Sequence, residues 1–241
     1  MTHAKIDVAL LSAGAREFQL DLTPAQLAQF SRYADLLMEW NERFNLTSIT
    51  DPREIVIKHF LDSLSAARSL PPGATRLIDV GAGPGFPGLP LKLAQPGLAL
   101  TLLEATRKKC EFLEAVVKEL NLAEVLIVNA RAEDAAHDPD HRECYDVAIA
   151  RAVAEMPTLV EYLLPFVKVN GVAVAQKSKE VLNDVKHAEL AMTTLGGRLN
   201  DIVAVDVPEL HEARYLVVIE KVFATPAKYP RRAGMPSKRP L

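Results

Sequence analysis

The chain has 241 residues, 49% of them apolar, and a formal charge of −3, enough apolar material to bury one substantial core with an addition beside it. No apolar run approaches the roughly 20 residues of a membrane-spanning helix, residues 1–18 carry no signal-like apolar block, and Cys110 and Cys144 stand in no C-x-x-C or metal-ligand spacing. A disulfide scaffold and a helical membrane protein are thereby excluded, and the expectation is a cytoplasmic, monomeric protein with reduced thiols and no metal.

Thr23-Pro24 combines a helix cap with proline at the first helical position, and Leu27, Phe30, Ala34, Leu37, Trp40 and Phe44 follow at three- and four-residue spacing. The pattern predicts an amphipathic helix of about six turns. Asp51-Pro52 repeats the start signal, with Glu54 three residues after the cap. Ile57, Phe60, Leu61, Leu64 and Ala67 then share one face of a second helix, which Pro71-Pro72-Gly73 stops. On this helix His59, Asp62 and Ser63 return to the side opposite the apolar stripe. Two readings stand: a solvated polar face, or the mouth of a ligand cleft where His59 and Asp62 orient what is bound. Residues 1–72 are therefore read as an N-terminal helical extension.

Residues 76–80 form a short apolar run broken by Gly81, Gly83 and Gly85, and Leu89, Leu91, Leu93 and Ala94 continue in helix-compatible fashion. This is a strand, a tight turn and a helix start. Such a turn brings backbone close to a ligand with no Cβ in the way and offers it helix N-terminal N–H groups. Gly83-Pro-Gly85-Phe-Pro-Gly88 fits the G-x-G-x-x-G spacing of dinucleotide sites. Pro87 and Pro90, however, remove N–H groups where a pyrophosphate would want them. Asp79, two residues before Gly81, completes an Asp-x-Gly-x-Gly-x-Gly run that resembles the first motif of S-adenosylmethionine (SAM) methyltransferases.

Downstream the chain alternates. Strands are predicted at 99–104, 124–129, 145–150 and 172–176, with helices at 106–120, 156–167 and 179–195, the last ending at Gly196-Gly197. Two final strands, 202–207 and 215–222, lack a crossover helix and should pair antiparallel. This α/β pattern over 73–223 is that of a class I SAM-dependent methyltransferase fold, a Rossmann-like and mostly parallel seven-stranded sheet closed by an antiparallel hairpin. His137 and His141 fall in a loop where Pro139 argues against a helical metal site. The segment 224–241 carries Lys228, Arg231, Arg232, Lys238 and Arg239 with no acid, which leaves residues 1–223 with 23 basic against 31 acidic side chains. Its prolines favour an extended arm, and its five cations are candidate contacts for an RNA backbone.

Ligands of open α/β sheets bind beyond the carboxyl ends of the strands. Glu104 ends the second strand, where an acid can accept bonds from ribose hydroxyls. Ala132 and Glu133 follow the third and could flank an adenine; Arg151 follows the fourth and Lys177 the fifth. With Asp79, Gly81, Gly83 and Gly85 these residues make up a candidate cofactor site, Lys177 joining His59 and Asp62 in an orienting role.

The runs Asn41-Glu-Arg-Phe-Asn-Leu-Thr-Ser-Ile, His59-Phe-Leu-Asp-Ser-Leu, Asp79-Val-Gly-Ala-Gly-Pro-Gly-Phe-Pro-Gly and Arg151-Ala, with the tail from Thr225, resemble the bacterial RsmG (GidB) family. The resemblance spans nearly the whole chain after about residue 20. It implies an SAM-dependent enzyme that methylates N7 of one guanine in a loop of 16S ribosomal RNA, with cofactor contacts at Gly81, Phe86, Ala132, Glu133 and Arg151. Guanine N7 holds an in-plane lone pair and no proton, so no general base is required. In an A-form helix N7 lies in a groove that side chains cannot read, so the target should be an exposed or flipped base. A nicotinamide oxidoreductase using Gly83 to Gly88, and an RNA-binding factor with a vestigial cofactor loop, are the competing readings.

Overall fold

The computed structural model describes residues 5–178 and 181–241. Seven strands, β1 Arg76–Val80, β2 Ala99–Leu103, β3 Val125–Val128, β4 Tyr145–Arg151, β5 Val167–Lys177, β6 Gly197–Val205 and β7 Arg214–Lys221, form one sheet of order β3-β2-β1-β4-β5-β7-β6. β1 to β5 are parallel, and β7 runs antiparallel to both β5 and β6. The order reverses between β1 and β4, which places the switch point of the sheet beside the glycine turn.

The helices are α1 Val8–Glu17, α2 Pro24–Asn41, α3 Pro52–Glu54, α4 Asp62–Ser65, α5 Gly88–Ala94, α6 Arg107–Glu119, α7 Ala132–Ala135, α8 Met156–Leu163, α9 Val181–His187, α10 Glu189–Thr194 and α11 Met235–Lys238. Side chains alternate across the sheet. Leu77, Val147, Ile149 and Val174 belong to a core cluster shared with Phe30 and Tyr33 of α2, Leu11 of α1, and Phe60. Ile78, Ala148, Ala150 and Ala173 belong to the other, shared with Leu159 and Leu163 of α8 and with Tyr229 of the tail. The helices before Pro71 therefore complete one of the two layers that cover the sheet.

Several elements differ from the sequence expectation. α1 has no counterpart in it, although Asp7 caps the helix through its side chain and Leu11 and Ala15 are buried. α2 stops at Asn41 because the Asn41 amide takes over the next turn: its oxygen accepts from the Leu46 and Thr47 N–H groups and its nitrogen donates to Thr47 O. Phe44 thus lies past the helix, its ring tilted against Trp40 at 5.8 Å. The second predicted helix is not uniform, since α3 passes into a π-helical stretch, Ile55–Leu61, before α4 and a 3-10 turn, Ala66–Ser69. From 55 to 66 every residue but Lys58 is buried, so this stretch is enclosed on all sides and has no solvated face. His59, Asp62 and Ser63 are 8%, 3% and 0% exposed, so the solvated-face reading does not hold.

The helix expected over 156–167 ends at Leu163; Leu164–Phe166 is a 3-10 turn, and β5 starts at Val167. Residues after Val167 bulge out, with Asn170 at φ 71°, before pairing resumes at Val147 and Val172. The helix expected over 179–195 is divided at Ala188 into α9 and α10; its first two positions, 179 and 180, lie outside the described residues. β6 begins at Gly197 instead of 202. No helix among the described residues is long and apolar enough to cross a membrane.

Candidate active site

The glycine turn is fastened to β2 by two bonds, from Gly81 N and Ala82 N to Leu103 O at 2.8 and 3.0 Å. Its glycines differ in what surrounds them. At Gly85, φ +100°, a Cβ would lie 2.4 Å from Leu89 Cδ1 and 2.7 Å from the Tyr33 hydroxyl, so this glycine serves packing. At Gly83, φ +58°, a Cβ would point into space whose nearest atom is Gly81 O at 3.9 Å. A bound molecule can approach the backbone there. Gly81 faces Val153, which a Cβ would meet at 2.8 Å.

Two carboxylates brace the turn. Glu104, 6% exposed, accepts Gly83 N–H at 2.9 Å through one oxygen and Thr106 N–H at 2.7 Å through the other. Asp79 is fully buried, and its Oδ2 accepts Gly88 N–H at 2.7 Å. Its Oδ1 has no hydrogen-bond partner. Burial pushes the Asp79 pKa up to about 7, against the opposing pull of the Gly88 N–H and of Arg151.

Beyond the turn, the Phe86 ring stacks on the His59 ring at 4.4 Å, and the Arg151 guanidinium lies 5.1 Å from the Phe86 centroid. Arg151 donates to Lys58 O at 3.0 Å and to Asp62 Oδ2 at 2.8 Å, with His59 Nδ1 3.4 Å from its other nitrogen. Since a guanidinium only donates, Nδ1 is the accepting nitrogen and the His59 proton sits on Nε2, which faces Thr47 Oγ1 at 2.8 Å. Burial, and then the charge of Arg151, hold the His59 pKa down at about 3. His59 is a neutral spacer at physiological pH, fixed by the loop that Asn41 ties.

Beside Arg151 opens a cleft of about 590 Å³ lined by Lys58, His59, Asp62, Lys177 and Arg214, among others. Asp62 lies between two guanidinium groups, with Arg214 Nε 3.0 Å from its Oδ1. Lys177 pairs with Asp184 at 3.0 Å. The structure thus brings His59, Asp62, Arg151 and Lys177 together, and adds Arg214. Sequence reasoning looked only at the ends of parallel strands, whereas β7 is antiparallel, so its first residue lies on the same side as their carboxyl ends. The signal was the predicted antiparallel pairing itself.

Two of the remaining predicted positions, Glu133 and Arg231, join the tail to the body. Glu133, 4% exposed, accepts Gly234 N–H at 2.8 Å. Arg231, expected among the RNA-contacting cations, turns inward to Glu161, which is 0% exposed, and bonds it at 2.6 Å through Nη2. Lys228, Arg232, Lys238 and Arg239 remain exposed. The arm is not simply extended: Tyr229 is buried against the protein and α11 forms with Pro236 in its first turn. The 137–143 loop holds it, Arg142 donating to Thr225 O and Tyr229 O at 2.8 Å each. His137 and His141 make separate contacts, with Pro230 O and the Tyr145 hydroxyl.

The model of a family described as "GidB: rRNA small subunit methyltransferase G" matches residues 26–213. The chain is 46% identical to "Ribosomal RNA small subunit methyltransferase G" of Alkaliphilus oremlandii, over 96% of this chain and 98% of that protein. It is 50% identical to the protein of the same description from Roseiflexus castenholzii, over 94% of this chain and 97% of the other. Among solved structures it is similar to M. jannaschii TYW2 in complex with AdoMet, with a TM-score of 0.50 and 15% identity, covering 62% of this chain and 70% of that one. The last is a likeness of fold.

Proposed function

The chain belongs to the rRNA small subunit methyltransferase G family, and from that membership we propose that the junction of the glycine turn with Arg151 is where it methylates N7 of a specific guanine in a loop of 16S ribosomal RNA. SAM is the donor and S-adenosylhomocysteine the product. The fold is that of a class I SAM-dependent methyltransferase, and the enzyme is an SAM-dependent methyltransferase of ribosomal RNA. The observation that carries the site is the contrast between glycines: Gly83 faces open space beside Glu104, while Gly81 and Gly85 are closed by side chains.

The residues present fit SAM. Gly83 leaves room for it, Glu104 offers an acid for the ribose hydroxyls, Ala132 and Glu133 stand at the end of β3 for the adenine, and the unpartnered Asp79 Oδ1 adds a buried acceptor behind the turn. Bound there, SAM would supply an electrophilic sulfonium methyl. The protein's own groups then have to position and desolvate. The guanine lone pair needs no base, and His59, held neutral, is not arranged to be one. His59 and Arg151 both pack on Phe86 and touch one another, and Asp62 fixes the guanidinium groups of Arg151 and Arg214 at the cleft wall. Alignment of nucleophile and methyl can supply up to about 7 to 11 kcal/mol of the acceleration. The cleft beside Arg151 would receive the flipped base, with Lys58, Lys177 and Arg214 near its flanking phosphates.

We take the protein to act as a monomer in the cytoplasm, on the small ribosomal subunit or its RNA. The test is to incubate it with labelled SAM and small-subunit RNA and to map the modified base. Label on guanine N7 at one loop position is the expected result; label elsewhere, or none, overturns it. Calorimetry should show binding of SAM and S-adenosylhomocysteine but not of NADH, which separates this reading from an oxidoreductase.

A further inference from the structure

The tail reaches the wall of the cofactor site and is bonded into it. Glu161 on α8 accepts three contacts from the Arg231 side chain, two from Nε at 3.0 and 3.2 Å and one from Nη2 at 2.6 Å, and a fourth from the Arg231 backbone N–H at 2.7 Å. One turn back along α8, Thr158 Oγ1 donates to Pro236 O at 3.0 Å. Between these anchors Gly234 N–H reaches Glu133 Oε1 at 2.8 Å, an oxygen that also faces the Tyr162 hydroxyl at 3.4 Å. Upstream, Arg142 and His137 hold the carbonyls of Thr225, Tyr229 and Pro230.

The carboxylates of Glu133 and Glu161 are 4% and 0% exposed, and a tail residue supplies the shortest bond to each. A buried carboxylate left without its partner is costly, so the docked tail is the state in which α7 and α8 can keep their present places. Glu133 is also one of the two residues read above as flanking the adenine. Its Oε1 is taken up by the tail, so the place of this side chain and of α7 depends on the docked tail.

We propose that residues 225–238 are a strap that positions α7, so that the docked tail and the bound cofactor stabilise one another; the inference rests on the reading of Ala132 and Glu133 as the adenine wall. Arg231 and Gly234 are then positioning residues for SAM. The strap has a second, outward side, on which Lys228, Arg232, Lys238 and Arg239 remain exposed. One segment thereby touches the cofactor wall with one face and presents RNA-compatible charge with the other. Whatever docks it more firmly tightens cofactor binding, and by linkage the reverse holds too.

The test uses the full chain and S-adenosylhomocysteine. Gly234→Pro removes the N–H that Glu133 accepts, and because proline cannot adopt the φ of +80° found there it also breaks the turn that aims the tail at α7. The double variant Glu161→Met with Arg231→Met removes the tether without stranding a buried charge. Both should bind S-adenosylhomocysteine about tenfold or more weakly by calorimetry at a temperature where thermal melts show them folded. Arg231→Lys, which keeps the charge and the backbone bond, should recover part of the loss. In the wild type, S-adenosylhomocysteine should slow tryptic cleavage after Lys228 and Arg232 by a comparable factor, a readout that needs no variant to fold. Wild-type affinity in both variants, or cleavage indifferent to the ligand, overturns the strap. A wild type that does not bind S-adenosylhomocysteine overturns the cofactor reading underneath it.

Discussion

At the scale of single residues, Gly83 is where a side chain and a cofactor compete for the same space. Gly83→Val should abolish S-adenosylhomocysteine binding in calorimetry, while the strain of a β-branched residue at φ +58° lowers stability by only about 1 to 3 kcal/mol. A folded variant with unchanged affinity would remove the turn from the site. Glu104→Ala should weaken cofactor binding by about 1.5 to 3 kcal/mol, the range for hydrogen bonds to a charged group. It also frees the N–H groups of Gly83 and Thr106; a titration curve identical to that of the wild type would eliminate the role. Asp79 and His59 make opposite demands on pH. Asp79 is raised from 3.8 to about 7, so its neutral form favours the fold, and that stability is present below 3.8 and lost as pH rises to 7. His59 is lowered from 6.5 to about 3, so its contribution is present above 6.5 and lost as pH falls to 3. In the wild type the two slopes offset one another between about pH 4 and 6.5. Denaturant titrations should therefore show His59→Gln losing stability as pH rises through that window, and Asp79→Asn gaining it, each by about 1 kcal/mol per pH unit. Parallel slopes in the two variants would refute this.

At the scale of elements, the turn is held from outside the sheet. Tyr33 of α2 donates to Pro84 O and stacks on Phe86 at 5.5 Å, and Phe60 of the π-helical stretch lies against both rings. Tyr33→Phe keeps the stack and loses the hydroxyl bond. It should cost about 0.5 to 1.5 kcal/mol in chemical denaturation, and a weaker S-adenosylhomocysteine affinity alongside would show that α2 sets the shape of the turn. α1 packs on the same stretch, where Leu61 lies 2.6 Å from the position of a Cβ added at Gly14. Leu11, fully buried in α1 within the cluster that includes the sheet, gives a direct measure of that union. Leu11→Ala should lower global stability by about 2 to 5 kcal/mol in a single cooperative transition; a separate early transition would instead mark the N-terminal helices as an independent unit.

At the scale of the whole molecule, the basic tail and acidic body do not meet only through their net charges. Arg231 is committed to Glu161 and Arg142 to the tail's carbonyls, so the tail cations left exposed are Lys228, Arg232, Lys238 and Arg239. Reversing those four should raise the RNA concentration for half-maximal methylation and flatten its salt dependence, by about 0.7 in logarithmic slope for each lost contact to a single strand. S-adenosylhomocysteine affinity should hold; if it falls while the salt slope stays, the RNA is gripped by another surface. The sequence by itself determined the glycine turn, the alternation of strands and helices and the closing antiparallel pair, because side-chain period and turn chemistry are written in residues a few positions apart. It also placed Glu104 and Arg151 at strand ends. The partners of the charges were decided only by the tertiary structure. Arg214 comes into the cleft because an antiparallel strand starts where parallel ones finish, His59 and Asp62 are buried because the stretch that carries them is enclosed on all sides, and Arg231 finds Glu161 across 70 positions of chain. Such pairings depend on which distant surfaces the fold lays together, and no local period encodes them.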